Sequence, residues 1–190
     1  MERIYVTDQA FSNINFTEKP LAIGDYENCQ FSNCQFQNTS LSGINFSGCV
    51  FSGCDMGMAK LSNTTFNDIQ FINCKLLGLH FNDCNTFLFT VSFEHCILNL
   101  ASFYKMKMKK TRFTGSTLQE ADFTETDLSA AVFGHCNLAG AIFEQTILEK
   151  ADFRTADGFS INPERNRMKK ARFSVTGLPG LLHKYNLDID

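Results

Sequence analysis

The sequence predicts a solenoid of short stacked repeats, and three observations predict it. From Ala121 to Phe153 every fifth residue is large and apolar: Phe123, Leu128, Phe133, Leu138, Phe143, Leu148 and Phe153. Two residues before each stands a small one: Ala121, Thr126, Ala131, Cys136, Ala141, Thr146 and Ala151. A period of five fits neither the 3.6 of an amphipathic helix nor the 2 of an alternating strand. A short fixed period means units that bury their apolar faces only by stacking. The composition agrees, because 20 Phe with no Trp and only 3 Pro suit a core of stacked rings.

Taken in order, residues 1–10 read as a short strand or cap, with Ile4 and Val6 covering the first coil. Phe16, Leu21 and Tyr26 hold the spacing with weak flanks, so the first coil is expected to be irregular. Regular centres then run from Phe31 to Phe81, all with numbers ending in 1 or 6. Two residues after them come Asn33, Asn38, Gly43, Gly48, Gly53, Asn63, Asp68, Asn73, Gly78 and Asp83, with Met58 the exception. Gly, Asn and Asp tolerate positive φ. A type II turn needs positive φ at its third residue, so type II corners are expected in this half.

Residues 84–92 break the register. Centres move to numbers ending in 3 or 8, which amounts to a two-residue insertion between Asn85 and Thr90. Phe87, Leu88 and Phe89 cannot all face inward there, so a bulge is expected. The second register places Phe93, Phe113, Phe133 and Phe153 in one column, with Phe173 in phase, and Phe103, Phe123 and Phe143 in another. Leu98, Leu118 and Leu138 form a third, and Met108, Leu128 and Leu148 a fourth. Corner residues here are Lys105, Lys110, Glu120, Glu125, Ala130, Gln145 and Lys150, which predict type I or irregular corners. Residues 154–170 read as an irregular last coil, with Phe159 and Ile161 inward and a turn at Asn162-Pro163. The solenoid domain is thus 1–173, followed by a helix and tail over 174–190. Pro179 suits the first turn of that helix. Leu178, Leu181, Leu182 and Tyr185 can share one face, and Leu187 and Ile189 alternate like a short strand.

The small–polar–Leu/Phe–polar–polar motif resembles the pentapeptide repeat family, and it recurs over most of the chain. The resemblance implies an all-β fold: a right-handed, quadrilateral parallel β-helix with four pentapeptides per coil and both signature residues inward. The closing segment, SINPERNRMKKARFS and GLLHKYNLDID, resembles the group that includes the albicidin resistance, microcin B17 immunity and Qnr proteins. In that group C-terminal helices make a two-fold, end-to-end dimer. Carried onto this chain, the resemblance implies dimerisation through Leu178, Leu181, Leu182, Tyr185, Leu187 and Ile189.

No constellation for catalysis stands out. His95-Cys96 and His135-Cys136 are neighbours, but the repeat turns each Cys inward and leaves each His at a corner, where they do not orient one another. Of the 8 cysteines, Cys29, Cys34, Cys49, Cys54, Cys74, Cys96 and Cys136 occupy small inward positions and no C-x-x-C pair occurs, so buried small hydrophobes are expected rather than a metal site. No cofactor or small-molecule substrate is expected. Without a membrane-spanning apolar run or a signal-peptide core, the default is a cytoplasmic protein.

Members of the resembled group bind DNA gyrase or topoisomerase IV as rods thought to mimic duplex DNA. That sets a test by magnitude. A body of roughly 35 Å at ~4.8 Å per coil corresponds to duplex carrying about 20 negative charges. This chain has a net charge of −3; from Thr7 to Leu100 eight acids face three bases. Wholesale charge mimicry is therefore poor, and a local acidic face remains. Two basic clusters, Lys105 to Arg112 and Arg165 to Arg172, stand three coils apart if the phase holds; they read as solvated solenoid faces, or, on neighbouring faces, as a surface that attracts nucleic acid or an acidic protein. The resemblance implies a non-enzymatic dimer that binds a bacterial type II topoisomerase and protects it from a quinolone or peptide toxin. A scaffold binding other proteins through Ile72, Leu77, Phe87 or Phe89, or through the basic clusters, is the alternative.

Overall fold

A computed structural model describes residues 3–188 and shows a parallel β-solenoid with one short C-terminal helix. Strands β1 (Ile4–Thr7), β3 (Gly24–Glu27), β5 (Asn45–Ser47) and β7 (Thr65–Asn67) pair in parallel as one four-stranded sheet. A second sheet stacks β2 (Ala10–Ser12), β4 (Gln30–Ser32), β6 (Val50–Ser52), β8 (Ile69–Ile72), β9 (Val91–Glu94), β10 (Arg112–Thr114) and β11 (Val132–Gly134). The remaining sides are single parallel bridges, such as Asn15 with Gln35 and Lys107 with Asp127. Pairing is by like residue one coil on: Phe31 opposes Phe51, and Phe113 opposes Phe133.

That register builds the core. One column of rings runs unbroken through Phe11, Phe31, Phe51, Phe71, Phe93, Phe113, Phe133, Phe153 and Phe173, with centroids 4.7 to 5.5 Å apart. The strand spacing of ~4.8 Å is itself a stacking distance for rings, so the backbone ladder sets the aromatic one. A second column changes place partway. In the N-terminal half it is Tyr26, Phe46 and Phe66; in the C-terminal half it is Phe81, Phe103, Phe123 and Phe143. These rings meet the first column edge-on, as Phe113 meets Phe123 at 6.0 Å and 84°.

The small inward positions follow the same logic. Most hydroxyls and thiols there donate to a carbonyl of the coil before: Thr126 Oγ1 to Phe103 O at 2.7 Å, Thr64 Oγ1 to Leu41 O at 2.8 Å, Cys54 Sγ to Phe31 O at 3.3 Å; Thr39 and Ser116 instead donate within their own coil. Ala, Cys, Ser and Thr are therefore interchangeable, since each is small and its polar atom finds an acceptor.

The register break lies where the residue numbers put it, and its form is specific. Phe71 opposes Phe93 and Lys75 opposes Ile97, two residues more than one coil. Phe89 turns inward against Phe66 and Phe81, while Phe87 and Leu88 are exposed. This is also where the second aromatic column changes side. Phe81 opens a 3-10 turn through Asp83, so Asp83 is not a left-handed corner.

The corners of the second half correct the expectation from composition. Lys105, Lys110, Glu120, Glu125, Ala130, Gln145 and Lys150 all have φ between 53° and 62°, and Met58 has φ 57°. Positive φ at the third residue with an i to i+3 bond is the type II pattern. The bonds are present in both halves, as Thr39 N to Phe36 O at 3.1 Å and Ala131 N to Leu128 O at 2.9 Å. Neither half is uniformly closed this way: corners that follow the long sheet, such as Phe31 to Cys34 and Phe113 to Ser116, lack the bond. A left-handed non-Gly residue costs about 1–2 kcal/mol. Stacking overrides that cost, because the same conformation aims each corner N–H at the next coil: Lys110 to Ser129 O at 2.9 Å, Ala130 to Glu149 O at 2.8 Å.

Two outcomes are expected from chemical denaturation. Phe123→Ala removes a ring stacked on both sides and lowers stability by about 3–5 kcal/mol. Ala130→Gly leaves stability unchanged or raises it by up to about 1 kcal/mol, whereas Ala130→Val lowers it by at least about 1 kcal/mol.

Candidate interaction surface

The interior holds side chains only, so whatever the protein recognises is read from its outside. All eight cysteines are buried and free of disulfides. Burial pushes the Cys49 and Cys136 thiols up to about 11, far from a reactive thiolate. His95 and His135 sit on exposed corners with φ 52° and 53°, turned away from Cys96 and Cys136 inside. Among the described residues, no group of three or more His, Cys, Asp or Glu is placed to hold a metal, and no helix is long and apolar enough to cross a membrane.

The C-terminal end is covered by its own chain. Helix α1 (Pro179–Leu182) lies between two 3-10 turns, Val175–Gly177 and His183–Tyr185. Leu181 packs against the core, and Ile161 N donates to Gly180 O at 2.9 Å. Gly180 is required here, because a Cβ would lie 2.4 Å from Phe159 O. His183 Nδ1 meets Ser160 Oγ at 3.2 Å, and Glu164 accepts from Tyr185 Oη and pairs with Lys184. The apolar tail residues therefore do not share one face. Leu181 points in and Leu182 is half-buried, while Leu178 (45 %), Tyr185 (53 %) and Leu187 (57 %) are exposed. One short turn of helix cannot present four residues to one side, and the 3-10 turns rotate its flanks. Leu187 is not in a strand, and Ile189 lies outside the described residues.

The basic clusters fall on the same faces rather than neighbouring ones. Lys107, Asp127, Ile147 and Arg167 are bridged in one line, as are Val132, Asp152 and Arg172 alongside β10. Three whole coils separate the clusters, so the repeat returns each residue to its own column. Acids on the coils between take up part of the charge: Asp127 with Lys109 at 3.3 Å, Glu149 with Arg167 at 2.7 Å, Glu144 with Arg165 at 3.1 Å. Arg154, 2.7 Å away, holds the Asp152 carboxyl below its usual range, and Arg3 does the same to Asp25 at the other end.

Of the residues expected to be exposed, Leu77 and Phe87 are, whereas Ile72 is half-buried and Phe89 packs inward. An apolar patch that the sequence reading missed joins Leu77 to Met58 and Ile97, beside a shallow recess at Gly57. Its members occupy three different outward positions of the repeat, so no column of the sequence displays it.

The pentapeptide repeat region profile matches residues 25–87 and 86–173. Among solved structures, a trypsin-treated variant of QnrB1, a plasmid-mediated fluoroquinolone resistance protein, superposes with a TM-score of 0.63 at 15 % identity, covering 100 % of both chains. HetL, a pentapeptide repeat protein involved in heterocyst differentiation regulation in the cyanobacterium Nostoc sp. strain PCC 7120, gives 0.59 at 16 % identity over 90 % of this chain and 88 % of its own. No curated protein sequence matches the chain. At these identities the likeness is one of fold.

Gly180→Ala is expected to lift the cap while sparing the coils: amide exchange speeds up over residues 159–185 and stays slow from Phe31 to Phe143. The profile match spans most of the sequence, and the five-residue stacking it describes is the architecture seen; the chain belongs to the pentapeptide repeat family.

Proposed function

We propose that the protein is a non-enzymatic binding protein that engages a bacterial type II topoisomerase, DNA gyrase or topoisomerase IV, and relieves its inhibition by a quinolone or peptide toxin. The observation that carries this reading is the full-length correspondence with the fold of a fluoroquinolone resistance protein. The closing segment's resemblance to the resistance and immunity group supports it independently. Recognition works through the rod's outline and a locally acidic N-terminal half, since the net charge of −3 is far below that of a duplex of equal length. The working form is a two-fold dimer joined end to end. Leu178, Tyr185 and Leu187, left outward by the cap, form the contact, and Leu181 and Leu182 hold the cap beneath it.

A second reading is favoured by the Met58–Leu77–Ile97 patch, which suits a protein partner unrelated to topoisomerases. Exposed apolar patches on soluble proteins mark such contacts.

The test is gyrase supercoiling with and without ciprofloxacin or albicidin. Purified protein at micromolar concentration is expected to restore supercoiling in the presence of at least one poison. No effect with any of several poisons would remove the topoisomerase reading, and capture of a different protein dependent on Leu77 would install the second. In about 1 M salt, Leu178→Asp with Leu187→Asp is expected to convert the end-to-end dimer to monomer in sedimentation without unfolding the solenoid.

A further inference from the structure

One corner of the solenoid carries an ordered series of charges. The corner beside the β1–β3–β5–β7 sheet reads, coil by coil, Asp8, Asn28, Gly48, Asp68, Thr90, Lys110, Ala130, Lys150 and Lys170. Thr90 stands at its midpoint, on the bulged coil, where it accepts from Ile69 N at 3.0 Å. All the acids lie on one side of it and all the bases on the other. Among the described residues, none of Asp8, Asp68, Lys110, Lys150 and Lys170 has an oppositely charged partner within 4.0 Å.

A two-fold axis in the contact plane, perpendicular to the rod and passing Thr90, sets this corner against the same corner of a second copy in reverse order. Asp68 then meets Lys110, Asp8 meets Lys170, and Asn28 meets Lys150. The smallest residues, Gly48 and Ala130, also face each other. Reversal in any other register keeps at most one of the two acid–base pairings. The one like-charge meeting is Glu27 with Glu149, and each is engaged at home: Glu27 by Tyr5 Oη, and Glu149 by Arg167 at 2.7 Å. Phe87, 73 % exposed, and Leu88 lie on the central coil, where each copy covers the other's pair.

We propose that this flank is a contact between two antiparallel copies of the chain, held by charge along the Asp8-to-Lys170 corner. It is independent of the topoisomerase reading and of the end-to-end dimer, because it uses a flank and depends on charge. It is therefore tested on a Leu178→Asp, Leu187→Asp background, where the end contact is absent. Sedimentation is expected to show a dimer in about 0.01 M salt, where charges act over ~30 Å, and a monomer in about 1 M salt, where they act over ~3 Å. Lys110→Glu with Lys170→Glu is expected to weaken the dimer by at least about tenfold, since each pair occurs twice. Asp8→Lys with Asp68→Lys does the same, and mixing the two folded variants restores a heterodimer. A monomer at low salt, a dimer indifferent to both substitutions, or two folded variants that fail to associate with each other would each overturn the proposal.

Discussion

Every coil depends on one constraint: most of its backbone hydrogen bonds belong to the coils above and below. Lys110 N reaches Ser129 O, Ala130 N reaches Glu149 O and Phe133 N reaches Asp152 O, each across a coil. A pentapeptide cannot satisfy its own N–H and C=O groups, so a lone coil has no stable form. In-register parallel pairing then places like over like. Rings stack because strands do, thiols and hydroxyls find the carbonyl one coil back, and corners adopt whatever φ delivers the next bond.

That hierarchy explains which features were legible in the residues. The inward column was, because only large apolar residues survive there and the five-residue spacing of Phe123 to Phe153 leaves no other period. The two-residue shift was also legible, since numbers ending in 1 and 6 give way to 3 and 8. Corner conformation was not. Asn and Gly at Asn33 and Gly43 advertise positive φ, but Lys105, Glu120 and Ala130 adopt it without the residue types that favour it. Composition there reports solvent exposure, and the stack alone dictates the backbone.

The tail was harder for a different reason. A leucine-rich stretch after Pro179 reads as one amphipathic face, yet only Pro179–Leu182 is α-helical. The two 3-10 turns and the fit of Gly180 against Phe159 depend on the last coil's shape, which is tertiary information. Surface features suffer the same limit: the charge order along the corner becomes visible only once the bulge is known to sit at Thr90 and the register on either side is fixed.

The bulge itself has a wider meaning. Two surplus residues are absorbed between Asn85 and Thr90, and by Phe93 the rings stack again at 5.5 Å on Phe71. The error does not propagate, because each side of the tube is hydrogen-bonded to its neighbours rather than to the side before it. Such an architecture can gain or lose segments at a corner and keep its bore intact. Its outer shape is thereby free to diversify while its interior stays fixed.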